Sequence, residues 1–463
     1  MSLDPAAALA AHVARTRFAD LPLATVEATK RDLLDTLGCA LGGSAAPGID
    51  TLIRLHRAWG GKAESPLLLA GGGLPAPQAA FIHAAMAHAL DYDDTYDRAG
   101  SIHPGASVFG AALATADLLG GVSGEELLLA TTLGLDVSGR IALAATLDRG
   151  WHRTSAIGVF GAAAVAGKLL GLTQEQLHQA FGIALSQAAG SRQCILDGAL
   201  TKRFQAGQAA SAGIISALLA KDGFTGAIEV FAGRYGFFEL YQPDGFDLAP
   251  LTETLGQAWR GDEVSFKPYP CARPMHAAID AALILHRDLG LAALAGTSAI
   301  AAVVVEAPGR VIRDFLLDSP ARRAPRQIVE AQFALPFLVA AALRHGRLGI
   351  DEVAGFDDPE VLGLASRIEG AATEGPSAVR IKLQDGRTAR VQIDLALGSP
   401  GNPLSPALQA AKFHDNAVHA LRHLTTDEEN ATIDAMLRLE KLGDARQAWS
   451  TLTENAAVNG AGT

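Results

Sequence analysis

A polar stretch stands in this otherwise apolar sequence at residues 88–105, HALDYDDTYDRAGSIHPG. It follows an alanine-rich run that predicts a buried helix. If the helix continues through residue 95, then His88, Asp91 and Thr95 lie on one face, because side chains three and four positions apart are neighbours on a helix. The spacing therefore predicts a polar stripe at the end of an inner helix.

The loop after this helix holds a second histidine. His103 precedes Pro104, which disfavours helical backbone for His103 and places its imidazole on an extended loop. Such a loop can return the ring to Asp91. A carboxylate beside an imidazole raises the imidazole pKa and orients the ring, as general acid or base catalysis requires. The alternative is an ordinary polar helix end.

Residues 93–97, DDTYD, also match the DDxxD pattern of magnesium sites in prenyl diphosphate chemistry. That chemistry requires a second acidic motif on a facing helix. The nearest candidate, Asp357–Glu360, contains a proline and lies in the other predicted domain. We therefore expect no bound metal, and on the predicted helix Asp93 and Asp97 point to solvent.

Other motifs are incomplete. Gly161–Lys168 lacks the glycine and the Ser or Thr of a phosphate-binding loop. His419 and His423 are four positions apart without the glutamate of zinc proteases, which indicates a solvated helix face. Cys39 and Cys194 lie in apolar helical surroundings, which is typical of core thiols.

Composition limits the partners and the compartment. The chain has 463 residues, more than one typical core, which favours two domains. A formal charge of −11 gives no positive surface for nucleic acid. Three cysteines cannot form a disulfide framework, which predicts a cytoplasmic protein. The charge-free runs fall short of the roughly 20 residues of a membrane span, and the N-terminus does not read as a signal peptide.

The elements that must position these residues are mostly helices. Alanine-rich stretches with few β-branched residues favour helix over sheet. Two helix starts have the same signature, a glycine that ends one helix and a capping box that begins the next. They are Ser123–Glu126 and Thr173–Gln176.

The pattern changes after Lys267. Ser298–Ala307 is β-branched and predicts a strand, and Ala378–Leu397 alternates about Asp385-Gly386 as a hairpin does. We therefore predict a mainly α protein with a large helical domain, residues 1–267 and 401–463, and an inserted α+β domain, residues 268–400. The last residues, 455–463, should be disordered.

Four stretches in register resemble the MmgE/PrpD family. The first is residues 88–105, which follows the family pattern H-(S/A)-hydrophobic-D-(F/Y)-D-D-T…HP. The resemblance extends from about Leu33 to Asn416. The other stretches are GWHRT at 150–154 followed by residues 158–170, TKR at 201–203 with Gly207, and FKPYPC at 266–271 with MHAAID at 275–280.

The resemblance implies a fold and a site. The family has a large helical domain built from both chain ends and a smaller α+β domain, with the active site in the cleft between them. Members are usually homodimers and need no metal or organic cofactor. Carried over by motif, the site residues are Asp91, Thr95, His103, His152, Lys202 and Lys267.

The lysines explain how an acidic protein could bind an anionic substrate. Lys202 and Lys267, with Arg203, supply the local positive charge that a small di- or tricarboxylate requires. We expect Lys267 and His103 to meet across the cleft from different domains.

The remaining groups move protons. The resemblance implies reactions that make or unmake a carbanion next to a carboxylate. We assign proton transfer to His103 and His152, with Asp91 orienting His103 and Thr95 donating a hydrogen bond. A desolvated lysine could also serve as the base.

The first expectation for the reaction is a cofactor-independent hydro-lyase acting on a hydroxy di- or tricarboxylate such as 2-methylcitrate. An epimerase of iminodisuccinate, a decarboxylase of the cis-aconitate type and an inactive carboxylate-binding relative are the alternatives. Many relatives have tyrosine where Phe337 aligns, and decarboxylase-like members can have histidine at Ala272. Both departures weigh against decarboxylation. Residues 97–102, DRAGSI, vary in the family and are expected to touch substrate.

Overall fold

The computed structural model describes residues 4–100, 102–293 and 296–453. Within these ranges the protein is mainly α-helical with small sheets, which confirms the predicted fold class. The disorder predicted for residues 455–463 concerns residues outside these ranges.

The N-terminal part of the chain is built from helices. Both predicted capping boxes are present, at Ser123 with Glu126 and at Thr173 with Gln176. The helices are α1 (Pro5–Arg15), α2 (Leu23–Gly43), α3 (Ile49–Trp59), α4 (Ala76–Ala87), α5 (Pro104–Leu118), α6 (Gly124–Ala144), α7 (Arg153–Leu169), α8 (Gln174–Leu185), α9 (Gln193–Leu196), α10 (Thr201–Lys221), α11 (Phe237–Tyr241) and α12 (Ala249–Thr252).

A four-stranded sheet follows; the sequence predicted its strand near residues 298–307 and its hairpin near residues 378–397, but not the strand Ile368–Thr373. The hairpin turns at Asp385-Gly386, where Gly386 has φ +90°. Strand order is β4-β3-β5-β6, with β3 parallel to β4 and the other pairs antiparallel. The strands are β3 (Ile300–Pro308), β4 (Ile368–Thr373), β5 (Ser377–Leu383) and β6 (Thr388–Ile393); a two-residue ladder of β1 (Ser65–Pro66) and β2 (Gly73–Leu74) precedes α4.

Helices flank the sheet and close the chain. Helices α13 and α16 pack on the sheet, and α19 packs against α2. These C-terminal helices are α13 (His276–Leu289), α14 (Gly309–Ile312), α15 (Ile328–Ala331), α16 (Leu335–His345), α17 (Ile350–Ala354), α18 (Pro359–Ala365), α19 (Pro406–Val418), α20 (Thr426–Leu437) and α21 (Ser450–Thr453).

The buried apolar residues form two clusters. The first runs from Ala6 to Phe266, includes Ile350 and continues from Leu404 onward, so the two ends of the chain share one core. The second runs from Tyr269 to Leu383 and lies between the sheet and its helices. The domain limits at residues 267 and 400 stay a prediction.

Among the described residues, α6 is long and apolar enough to cross a membrane. Nearly all of it is buried inside the protein, where it packs against α7 and α5. A core helix of a large helical domain has the same composition.

Candidate active site

The polar stretch does not continue α4. The helix ends at Ala87, so the prediction of a helix through residue 95 is wrong. His88, the capping residue, has φ −90° and ψ 0°, and Asp91 has φ +53°, a left-handed conformation that a right-handed helix excludes. A non-glycine residue keeps such a backbone only where surrounding contacts hold it. Residues 88–96 therefore form a buried irregular loop around Asp91.

Asp91 lies at the centre of the site. Its Oδ1 accepts hydrogen bonds from Lys202 Nζ at 3.0 Å and from Lys267 Nζ at 3.1 Å. Lys267 Nζ also donates to the backbone carbonyl of Asp91 at 2.8 Å. Burial alone would raise the pKa of Asp91, but the two ammonium groups outweigh burial and hold it well below its usual value. Asp91 is therefore an ionised carboxylate between two cations.

The two lysines reach Asp91 from distant parts of the chain. Lys202 lies in the first turn of α10, and Lys267 lies in the segment that connects the two apolar clusters. Lys202 Nζ also donates to His88 Nε2 at 2.8 Å. An ammonium has three N–H groups, and contacts among the described residues account for two on each lysine. One N–H of each lysine therefore has no acceptor among the described residues.

His103 lies immediately before α5, with non-helical backbone angles as predicted. Its Nδ1 is 2.6 Å from the carbonyl oxygen of Asp94, which can only accept, so Nδ1 bears the proton. Nε2 then has a lone pair and lies 3.8 Å from Asp91 Oδ1.

The pKa of His103 is set by more than the carboxylate beside it. Asp91 raises this pKa, as expected, but burial, and then the charge of Lys267, outweigh the carboxylate and lower the pKa of His103 well below its usual value. The resting side chain is a neutral imidazole whose basic nitrogen lies on the side of Asp91.

His152 is the second neutral imidazole of the site. It lies immediately before α7, and its Nδ1 donates to Gln205 Oε1 at 3.0 Å. Gln205 is fixed in this orientation because its Oε1 also accepts from the backbone N–H of Ser191 and its Nε2 donates to the carbonyl of Ser191. Burial, and then His88, lower the pKa of His152 well below its usual value. Its Nε2 is therefore also unprotonated.

Thr95 is fully buried and joins the site through its backbone. Its N–H donates to the Ser265 carbonyl at 2.9 Å and its carbonyl accepts from Ser265 N at 2.8 Å. Among the described residues, neither Thr95 Oγ1 nor Asp91 Oδ2 has a hydrogen-bond partner. Buried polar atoms normally do, so these two are available to a bound molecule. The hydrogen bond assigned to Thr95 stays a prediction.

The structure brings the six predicted site residues into one buried group, each at most 7% exposed, together with His88 from the predicted polar stripe and Asp93. Asp93, predicted to face solvent, is fully buried and its Oδ2 accepts from His88 Nδ1 at 2.6 Å. Asp97 is exposed, as predicted, and accepts from Arg273 and Ser265. The sequence feature that could have identified Asp93 was the group of four aspartates within residues 91–97 of an otherwise apolar chain.

Arg203 does not join the lysines. Successive residues on a helix point about 100° apart, and the Arg203 guanidinium donates instead to the Pro47 carbonyl at 2.9 Å. Burial lowers its pKa to about 10. The positive charge in contact with Asp91 therefore comes from Lys202 and Lys267.

A second charged group includes and contacts residues of the loop, and we name it the Lys412 cluster: Lys412, Asp35, Asp32 and Asp94. Lys412 Nζ, from α19, donates to both oxygens of Asp35 at 2.7 and 2.9 Å and to the Tyr92 carbonyl at 2.8 Å. Burial and the neighbouring carboxylates raise the pKa values of Asp32 and Asp94 well above normal. Two such carboxyl groups share a proton rather than both ionising.

His88, Asp93 and His103 also form a candidate metal site, with ligand atoms within 4.8 Å of one another. Their hydrogen bonds do not suit a metal. Nδ1 of His88 donates to Asp93, and Nδ1 of His103 donates to the Asp94 carbonyl. Metal at Nδ1 of His88 would leave a protonated Nε2 facing the Lys202 ammonium.

Comparison with known proteins shows which family the chain resembles. Human cis-aconitate decarboxylase is 28% identical over 444 residues, covering 90% of this chain and 88% of that protein. Cis-aconitate decarboxylase of Aspergillus terreus is 26% identical over 92% of this chain and 91% of its own, and 2-methylcitrate dehydratase of Cupriavidus necator is 28% identical over 75% and 73%. The MmgE/PrpD N-terminal domain matches residues 7–248 and the C-terminal domain residues 269–441. The chain belongs to the MmgE/PrpD family.

Proposed function

We propose that this protein is a lyase that removes water from a hydroxy di- or tricarboxylate such as 2-methylcitrate. The observation that supports this most directly is the unprotonated Nε2 of His103, 3.8 Å from an aspartate that also binds two lysines. A base beside two cations suits removal of a proton next to a carboxylate, because the cations stabilise the negative charge that develops.

The substrate would bind through its carboxylates. The remaining N–H groups of Lys202 and Lys267 donate to one carboxylate as charge-assisted hydrogen bonds. The free acceptor, Asp91 Oδ2, takes a hydrogen bond from the substrate hydroxyl. A hydroxy acid supplies both kinds of group, whereas an unsaturated acid without a hydroxyl supplies only the first.

Proton transfer then needs only His103. Its Nε2 takes the proton from the carbon next to the carboxylate, and the lysines stabilise the carbanion. The carbon–oxygen bond of the neighbouring carbon breaks as the double bond forms. Protonated His103 returns the same proton to the leaving hydroxide, so one water is lost and His103 is neutral again.

Decarboxylation of cis-aconitate is the second candidate, because the relatives that match this chain over about 90% of its length include cis-aconitate decarboxylases. A decarboxylase must deliver a proton to the carbanion after CO2 leaves. Neither His103 Nε2 nor His152 Nε2 bears a proton in the resting protein. Phe337, buried in the second apolar cluster, offers no hydroxyl.

Proton NMR in deuterated water with 2-methylcitrate, citrate, cis-aconitate and iminodisuccinate tests the proposal. New vinyl signals from a hydroxy acid without CO2 release are the expected result. CO2 release from cis-aconitate would indicate a decarboxylase instead of a dehydratase. Exchange of an α-proton without vinyl signals would indicate an epimerase. Binding without any conversion would indicate an inactive carboxylate-binding relative. A cytoplasmic homodimer is part of the proposal, with the dimer checked by light scattering.

A further inference from the structure

Three buried side chains, Asp93, His88 and Lys202, are joined by two hydrogen bonds. Asp93 Oδ2 accepts from His88 Nδ1 at 2.6 Å, and His88 Nε2 accepts from Lys202 Nζ at 2.8 Å. Asp93 and His88 are at most 1% exposed and Lys202 is 5% exposed. Neither Asp93 nor His88 was among the residues assigned to the chemistry.

The protonation of His88 follows from its two neighbours. A carboxylate in this contact accepts, so Nδ1 bears the proton; an ammonium only donates, so Nε2 bears the lone pair. A second proton on His88 would point an N–H at the Lys202 ammonium. Burial, and then that ammonium, lower the pKa of His88 well below its usual value. His88 is thus a neutral ring with both nitrogens occupied.

This fixes the direction of Lys202. Its ammonium is tetrahedral, and two of its N–H groups point at His88 Nε2 and Asp91 Oδ1. The direction of the third is then set. An isolated lysine side chain is flexible, and ordering it on binding would reduce affinity. Asp93 in turn holds the ring that accepts from Lys202.

We propose that Asp93 and His88 are positioning residues, which hold the Lys202 ammonium so that its third N–H meets a carboxylate of the substrate. The inference rests on the proposed function for the identity of that substrate. It assigns no proton transfer to His88. Residues one contact behind a metal ligand typically change affinity or activity by about 10- to 100-fold when replaced, and we expect an effect of the same order for residues one contact behind Lys202.

Two substitutions of His88 by amide residues distinguish its hydrogen bond with Lys202 from its hydrogen bond with Asp93. In His88→Gln the amide oxygen reaches the place of Nε2 and keeps an acceptor for Lys202, whereas in His88→Asn the shorter amide keeps only a donor for Asp93. We expect His88→Asn to lower kcat/KM by roughly 10- to 100-fold, mainly through a higher KM. His88→Gln should retain most of the wild-type KM. Equal KM values for both variants and wild type, or a loss confined to kcat, would overturn the proposal.

His83 provides the matched control. It lies within α4, whose C-terminal capping residue is His88, is also buried, and accepts from Leu68 N through Nε2 at 3.3 Å. His83→Gln and His83→Asn remove a histidine of similar burial outside the site and should leave KM unchanged. A rise in KM in the His83→Asn protein equal to that of His88→Asn would show a general packing effect and overturn the proposal.

Nitrogen-15 NMR of histidine-labelled protein tests the contact without turnover. The resonance of His88 Nε2 should shift in Lys202→Met, because its donor is lost, while that of His83 stays in place. No shift would overturn the positioning role even in an active enzyme. A shift in a protein that converts none of the four acids would leave the positioning contact standing and reject the proposed function.

Discussion

Two buried charged groups contact the loop of residues 88–96, and they are built differently. Around Asp91, two lysines share one side-chain carboxylate oxygen, and each retains a donor. In the Lys412 cluster the single ammonium has three acceptors, two from Asp35 and one from Tyr92. The first group has unused hydrogen-bonding capacity and the second has none on its cation.

The difference separates function from structure. A saturated buried ion pair has nothing to offer a ligand, and removing one partner leaves an uncompensated charge. An unsaturated group costs stability in the free protein and gains contacts when a ligand arrives. We therefore expect substitutions around Asp91 to change mainly activity and substitutions in the Lys412 cluster to change mainly stability.

The largest effect on activity should come from His103→Ala. Loss of a group that moves a proton in the transition state should lower kcat by about 10²–10⁴-fold. KM should change much less, because the lysines still bind the carboxylate. The thermal midpoint should change little, since one hydrogen bond to Asp94 is lost. Wild-type turnover of the native substrate by this variant would reduce residues 88–105 to an ordinary polar loop.

The largest effect on stability should come from Lys412→Met. It strands the buried Asp35 carboxylate and frees the Tyr92 carbonyl, at a cost of about 3–5 kcal/mol in the free energy of unfolding. Urea unfolding measures this. His419→Ala, at the C-terminal end of the same helix, is the control; His419 is partly exposed and 3.6 Å from Asp351, and its loss should change stability by less than about 0.5 kcal/mol. Equal unfolding midpoints for the two variants would contradict the comparison.

Lys267→Ala should affect binding and turnover together. It removes one of the two donors to the substrate carboxylate and should lower kcat/KM by roughly 10²-fold. Lys267→Arg should not restore wild-type activity, because the planar guanidinium cannot occupy the place of a fully buried, compact ammonium. Steady-state kinetics separate the two parameters. Full activity of Lys267→Arg would show that charge alone is required.

The sequence predicted elements well where local signals decide them. Capping boxes at Ser123 and Thr173 and the turn at Asp385-Gly386 act within a few residues, so each was correct. The end of α4 was predicted incorrectly, because no glycine or proline marks it in the sequence. The loop conformation of Asp91 depends on Lys202 and Lys267, which are more than 100 residues away in sequence.

For the site, too, the sequence predicted some features correctly and missed those that depend on the three-dimensional arrangement. Motifs identified the residues that meet at Asp91, since a motif records the outcome of long-range contacts. The helical projection misplaced Asp93, and it could not show that Arg203 turns away to Pro47. The sequence also showed the carboxylate that raises the pKa of His103 but not the burial and the Lys267 charge that outweigh it and lower that pKa.

The pH dependence should distinguish the two groups by sign. The pKa of His103 is depressed in the folded protein below its unfolded value, near 6.5, so its base form persists and kcat/KM should fall only at pH values below about 6.5. The same depressed pKa contributes to the free energy of unfolding at pH values above about 6.5. This contribution is lost as the pH falls. The raised pKa of Asp94 has the opposite effect on stability. The folded state favours the protonated carboxyl group, so this group destabilises the fold less as the pH falls. An acid limb above pH 7 would contradict the neutral His103.

The smallest effect should follow treatment with a metal chelator. His88, Asp93 and His103 have the residue types of a metal site, but the Nδ1 atoms of both histidines donate hydrogen bonds within the protein. Displacing those protons would also bring a second cation close to Lys202, whose contact with His88 is 2.8 Å. Exhaustive dialysis against EDTA should therefore leave kcat/KM and the thermal midpoint unchanged. Loss of activity that magnesium or zinc restores would make the aspartates of residues 93–97 ligands, and the lysines would then have to be reassigned.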